Sequence, residues 1–379
     1  MTEKYSHDSG RLIHCRRLLC AIFAAGAAAC AHAQTIAQDV NNFATDSDAY
    51  NLISFGSTTL AGSSDTQGGI AVGGALSIGG SWTIASQSAP GTDPSMYVAG
   101  SLSLSGNTMV NNGYASLPGL GSGWTWNSSQ KELMGGGGTL SMNSSASQAS
   151  TNPIDNPIPT GWNWSTEQSD YDSISTSLAD ASTNGTISVN SQNLVLTTSV
   201  TSGVAVFDLD AAELSSGSYD GNALSNIQIN VPTGVTYVIN VTNLSAGQTL
   251  FGSGVNFNSG TNDDQLLWNL VGPTSGTGSV TISNGGYFYG AVLAPDVAIT
   301  DDTTVQGQVV ADSFDDTGVE LHDDTFTPTA ALVPESSLFP YGALVLCIAA
   351  VGRVVMVRRK AARTAHRPDL LPLAKKLSK

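Results

Sequence analysis

Apolar and polar positions alternate in short runs along most of this 379-residue chain, with Gly, Ser, Thr, Asn and Asp between them. Runs of three to six such residues, bounded by turn formers, predict many short β-strands rather than helices. Clear examples lie at 186–189, 194–198, 205–209, 227–231, 236–241, 266–270 and 279–283. Two runs recur. The segment Ala71-Val72-Gly73-Gly74-Ala75-Leu76-Ser77-Ile78-Gly79-Gly80 returns twenty-six residues on, from Tyr97 to Gly106. Gly290-Ala291-Val292-Leu293-Ala294 returns seventeen residues on, from Gly307 to Ala311. Units of this kind cannot bury an apolar face alone, but stacked as coils they build a continuous ladder. The predicted class is therefore all-β, a β-helix or solenoid with one inserted helix, followed by a single C-terminal transmembrane helix.

The inserted helix is predicted from about 166 to 181. Ser165-Thr166-Glu167-Gln168 has the form of a capping box, and Tyr171, Ile174 and Leu178 follow at helical spacing. Asn184-Gly185 would end it. Residues 113–150, rich in Gly and Ser with Gly135 to Gly138 at the centre, are expected to form a long loop between coils.

The two ends carry different patterns. Arg11, Arg16 and Arg17 precede an apolar run from 18 to 29, and Ala31-His32-Ala33 has the form of a signal cleavage site. Residues 1–33 are thus expected to be a signal peptide, with the exterior domain at 34–327. A linker at 328–337 contains Pro334-Glu335. The apolar run 338–357 can span a hydrocarbon core of about 30 Å, and Arg358-Arg359-Lys360 form a basic stop opening a cytoplasmic tail at 358–379. The chain is expected to be exported and anchored with its domain outside the membrane.

Charge narrows the chemistry. Between 34 and 334 there are twenty-six Asp and Glu against Lys131 alone, a net charge of −25. Nucleic acid is excluded as a partner, because phosphate neutralisation needs many cations. All four cysteines lie in the terminal segments, and His322 is the sole histidine of the exterior. Thiol, Ser-His-Asp and His-rich zinc chemistry therefore have almost nothing to build with. Carboxylates, hydroxyls and amides remain, which suit calcium, carbohydrate or carboxylate-pair hydrolysis.

Several motifs resemble those of the choice-of-anchor A domain: Leu52-Ile53-Ser54-Phe55-Gly56, then Gly68-Gly69-Ile70-Ala71-Val72-Gly73-Gly74, Leu266-Leu267-Trp268-Asn269-Leu270, Tyr289-Gly290-Ala291-Val292-Leu293-Ala294-Pro295, Gly307-Gln308-Val309-Val310-Ala311 and Glu320-Leu321-His322. The resemblance runs from about 48 to 326 and implies a bacterial surface adhesin with a β-helix-like fold. The tail is similar to a PEP-CTERM sorting signal, which implies an exosortase-type enzyme as partner. It differs in Ser336, in Arg353 within the apolar run, and in nineteen residues after Lys360. Sorting at Pro334-Glu335 and permanent anchoring both stay open.

Two candidate sites stand out, with no cofactor required. Asp315, Asp316, Asp323 and Asp324 could offer oxygens to calcium, although no calcium-loop motif surrounds them. Trp124 and Trp126, and Trp162 and Trp164, are i, i+2 pairs that share a face in extended chain and could stack on sugars of an exopolysaccharide or other surface glycan. Ice binding by a solenoid needs a regular Thr-x-Thr array on one flat face, and Thr303-Thr304 and Thr197-Thr198 do not make one. The expected function is a non-catalytic surface or matrix adhesin. The alternative is a polysaccharide hydrolase using Asp301/Asp302 or Asp315/Asp316.

Overall fold

The computed structural model describes residues 35–88, 91–250, 256–258, 262–273, 278–283 and 286–329. The chain divides into two units, Met1–Leu332 and Val333–Lys379, and all described residues belong to the first. The expected signal peptide with Ala31 and Ala33, the sorting motif Pro334-Glu335, the apolar run 338–357 and the stop Arg358-Arg359-Lys360 lie outside the described residues. Among the described residues no helix is long and apolar enough to cross a membrane.

Chain coils stack through parallel strand pairing and present three faces. Along the first face the strands run Ala115–Ser116, Met96–Val98, Ile70–Val72, Leu52–Ser54, Val309–Asp316, Ala291–Asp301, Leu266–Leu270, Val235–Thr242 and Gly203–Asp210. That order is not the order of the sequence. The first coil starts mid-solenoid, and the chain winds outward to Ala115. It begins again at the far end with Gly203–Asp210 and winds back until Val309 pairs with Leu52. Two half-solenoids thus meet at a seam between the first coil and the last.

The repeats seen in the sequence are stacking partners. Ala71 pairs with Tyr97 and Leu76 with Leu102, twenty-six apart. Val292 pairs with Val309, seventeen apart. Similar side chains repeat at one register position because each must fill the same layer of the ladder.

Glycines make the corners close enough to stack. A Cβ on Gly100 would lie 2.2 Å from the Gly74 carbonyl oxygen, and one on Gly80 only 1.6 Å from that of Gly62. No side chain fits there, which gives the glycines that recur twenty-six residues apart, Gly74 with Gly100 and Gly80 with Gly106, a physical reason.

The first face is buried on both sides. Inward, Leu52, Ile70, Val72 and Val98 join the main core. Outward, Ile53, Ala71, Tyr97, Val206, Val238, Leu267 and Val310 pack under two helices. One is α1 (35–47), contributing Ile36, Val40 and Phe43; the other is α2 (Trp164–Ala179), contributing Tyr171, Ile174 and Leu178. Strands covered on both sides carry apolar residues in succession rather than alternation. Asn240 and Asn269 interrupt that apolar surface and clamp α2. Asn269 Nδ2 donates to the Ser175 carbonyl and to Asn240 Oδ1, both at 2.9 Å, and its Oδ1 accepts from Ser175 Oγ at 2.7 Å. Asn240 Nδ2 donates to the Leu178 carbonyl at 2.9 Å.

Three expectations need correction. The cap of α2 is Asn163, whose Oδ1 accepts from Ser165 and Thr166 N–H, so the helix starts two residues before the Ser165 box would place it. It ends at Ala179 with Asp180 as its C-cap, ahead of Asn184-Gly185. Residues 113–150 are not one loop. They hold an antiparallel hairpin, Glu132–Gly135 with Gly138–Met142, whose Leu133, Leu140 and Met142 are buried. Its second strand pairs in parallel with Asn107–Val110 and extends the third face, which runs on through Trp82–Ile84 to Ser64–Asp65. The glycines at 136 and 137 make its turn with positive φ. Finally, α1 and the short α3 (Ala211–Ser215) add helices to the single one expected.

Candidate functional site

The second face is the one that two rows of small polar side chains cover. Its strands, in stacking order, are Leu102–Leu104, Leu76–Ile78, Thr58–Leu60, the C-terminal parts of Val309–Asp316 and Ala291–Asp301, then Gly278–Ile282 and Gln248–Leu250. Alternation sends every second residue outward. Register aligns those outward residues in a column: Ser103, Ser77, Thr59, Asp315, Thr300, Thr281 and Thr249. At about 4.8 Å per strand this column extends roughly 29 Å.

A second column runs beside it, two residues earlier in each strand. It holds Ala75 and Ser57, both exposed, then Ser313, Ala298 and Ser279. The columns are separated by about 6.6 Å along the strands. The outcome is a flat grid of hydroxyl and methyl groups, interrupted by the exposed carboxylate of Asp315. None of Thr59, Thr249, Thr281 or Thr300 belongs to a Thr-x-Thr motif in the sequence. Each is the one outward-facing threonine of its strand, and the array forms only when strands from separate coils stack.

Behind the grid, the inward column reads Leu104, Ile78, Leu60, Asp316, Asp301, Ile282 and Leu250. Two acids therefore sit stacked among aliphatic side chains, and both are buried. Each closes the turn that leaves its strand. Asp316 Oδ1 accepts from Gly318 N–H at 2.5 Å and Val319 N–H at 3.1 Å, and Asp301 Oδ1 accepts from Thr303 N–H at 3.2 Å. The second oxygen of each carboxyl has no hydrogen-bond partner. Burial pushes Asp316 up to about 7, against the pull of its two N–H donors. Burial, then the neighbouring Asp316, hold Asp301 well above the usual carboxylate range.

That arrangement separates the carboxylate pairs considered for hydrolysis. Neighbours on a strand face opposite ways, so Asp315 is exposed while Asp316 points into the core, and Asp301 is buried as well. The residues suggested for calcium are likewise divided. Asp315 lies on the flat face, Asp316 caps a buried turn, Asp323 accepts from Ser88 Oγ, and Asp324 is exposed after the last strand. Among the described residues no three His, Cys, Asp or Glu side chains are placed to hold one metal ion.

The tryptophans meet other parts of the fold. Trp162 and Trp164 contact each other edge to face at 5.2 Å; Trp164 stacks on Tyr97 at 5.4 Å, and Trp162 meets Tyr50 at 5.5 Å. Trp164 Nε1 donates to the Tyr97 hydroxyl at 3.2 Å. This cluster fastens the start of α2 to the first face. Trp124 and Trp126 are half-buried against the core at the N-terminal half's end, with Trp124 lying over Gly135 and Gly136. His322 is tied to Gln306 and Glu320 on the third face.

Residues 43–323 match the protein family described as "Putative Ice-binding-like adhesive domain", a span of well over half the chain. Among curated proteins none matches the chain. Solved structures with similarity include an ice-binding protein from an Arctic yeast, 11% identical, covering 76% of this chain and 96% of that one with a TM-score of 0.35. An ice-binding protein domain of Shewanella frigidimarina is 14% identical, with 74% and 96% covered and a TM-score of 0.31. Another, from the Antarctic ascomycete Antarctomyces psychrotrophicus, is 10% identical, with 74% and 96% covered and a TM-score of 0.25.

Proposed function

Because this chain belongs to the ice-binding-like adhesive domain family, we propose that it is a non-catalytic surface adhesin of the choice-of-anchor A type whose working surface is the flat second face. The observation that supports this most is the in-register column from Ser103 to Thr249. Small side chains on a rigid grid let the whole face approach another extended, regular surface at once. Adhesion of this kind gains from many weak contacts made without ordering flexible side chains. Ordered water at an ice surface and a sheet of packed polysaccharide chains both have the required regularity.

In this scheme the signal peptide 1–33 exports the domain. The segment 338–357 holds it outside the membrane, and Pro334-Glu335 offers a site to an exosortase-type enzyme that would pass it to the surface or matrix. No cofactor takes part.

Thr59→Tyr with Thr300→Tyr tests the assignment. Both side chains point outward, so the fold should persist while bulky rings break the plane. Wild-type protein should adsorb to ice or to a polysaccharide-coated surface, and the double variant should lose most of that adsorption. Equal adsorption by both proteins would remove the flat face from consideration.

A further inference from the structure

The middle of the third face has a different character from the flat grid. Its strands Tyr287–Tyr289, Thr304–Gln306 and Leu321–His322 are parallel, and a bridge between Leu321 and Thr66 carries the face across the seam. Phe288, Val305 and Leu321 point inward. Two outward columns result: Tyr287, Thr304, Glu320 and Asp65 in one, and Tyr289, Gln306, His322 and Gln67 in the other. These are long aromatic, amide and acidic side chains where the flat face has Ser, Thr and Ala.

Tyr287 is 47% exposed, and no other aromatic side chain among the described residues is as open. Its ring lies 6.0 Å from that of Tyr289 and 6.2 Å from the imidazole of His322. The imidazole is fixed at both nitrogens. Gln306 Nε2 lies 2.6 Å from Nδ1, and Glu320 Oε2 lies 2.8 Å from Nε2. With the amide donating to Nδ1, the Nε2–H donates to Glu320. Gln67 Oε1 accepts from Asp323 N–H at 3.2 Å, which ties the neighbouring coil to the same patch. The side chains around Tyr287 are thus held in place, and the Glu320 side chain remains 53% exposed.

We propose that this patch binds an amino-sugar polymer. Tyr287 would cover the apolar face of a pyranose ring, and the Glu320 carboxylate, with Asp65 one coil away, would receive the ammonium group. Charge selects the occupant. The exterior has a net charge of −25 and one lysine, so a polyanionic glycan is repelled and a neutral one gains from the ring alone. A cationic glycan gains from both. The patch is open and has no pair of facing carboxyls across a cleft, so it retains the polymer rather than cutting it.

Full-length protein titrated with a β-1,4-linked glucosamine hexamer and with the matching glucose hexamer tests this. The amine oligomer should bind at least tenfold more tightly at low salt, and the gap should narrow at high salt. Tyr287→Ala should weaken both oligomers about tenfold, and Tyr287→Phe should bind as wild type does. Glu320→Gln should lower the amine oligomer to the level of the neutral one. Unchanged binding in Tyr287→Ala would overturn the proposal. So would an oligolysine that binds as tightly as the amine oligomer and is indifferent to Tyr287, because charge alone would then suffice. The Thr59→Tyr, Thr300→Tyr protein should bind the hexamer normally, so this site and the flat face fail separately.

Discussion

Replacing Asp316 with Asn should make the protein more tolerant of alkali. The carboxyl is 2% exposed, stacks beside Asp301, and carries one oxygen without a partner. Its pKa is raised from 3.8 to about 7. A carboxyl that is neutral in the folded chain and ionised in the unfolded one contributes stability that is fully present below the unfolded value. That contribution disappears as pH rises through the folded value. Over three units this amounts to about 4 kcal/mol, of which about 3 kcal/mol falls between pH 5 and pH 8.5. Asn cannot ionise, and it also removes the acid neighbour that helps raise Asp301. Urea unfolding at the two pH values and constant salt should therefore show wild type losing about 3 kcal/mol more than the variant. Equal losses in both proteins would refute the idea that the buried pair holds a proton near neutrality. A wild type that gains stability toward pH 8.5 would refute it as well.

Further outcomes rest on the packing and on the cap of α2. Gly100→Ala drives a Cβ to within 2.2 Å of the Gly74 oxygen and should destabilise by more than about 3 kcal/mol, seen as a lower urea midpoint. Gly91→Ala, with positive φ but nothing within 4 Å, should cost only about 1 kcal/mol in the same assay. Asn269→Ala removes three hydrogen bonds at the back of α2 and should cost about 3 kcal/mol. Hydrogen exchange should rise most around Ser175 and Leu178. Asn163→Ala should cost about 1 kcal/mol as a lost cap, whereas Ser165→Ala should change stability far less, as thermal unfolding of the two variants can show.

Local pattern carried much of the fold. Strands at 266–270 and 205–209 were visible because alternating or apolar runs bounded by turn formers leave few other choices. The stacking of Ala71 on Tyr97 was visible as well, since a repeated layer repeats its residues. The hairpin of 132–142 was hidden by its glycines, whose composition suggests a loop although their conformation makes a tight turn. Helix α1 had a signal in Ile36, Val40 and Phe43 at spacings of four and three, close to the expected start of the mature chain. The tryptophan pairs were legible as aromatic clusters. Which surface they met was not, because burial depends on where α2 docks.

The sequence by itself determined the class of the domain, the stacking of two coil pairs (Ala71 on Tyr97, Val292 on Val309), the acidity of residues 34–334 and the chemistry that acidity excludes. Those properties are local or compositional, and the path of the rest of the chain cannot change them. Tertiary structure decided which of the other coils lie side by side. Thr59 and Thr300 are 241 positions apart yet flank Asp315 on one face, because the last coil closes against the first. The same closure sets Leu60 beside the buried Asp316 and brings Asp65 near Glu320. Parallel pairing specifies register through backbone hydrogen bonds available to any strand. The partner is selected by the path of the whole chain, and so a flat array built from isolated threonines left no motif to read.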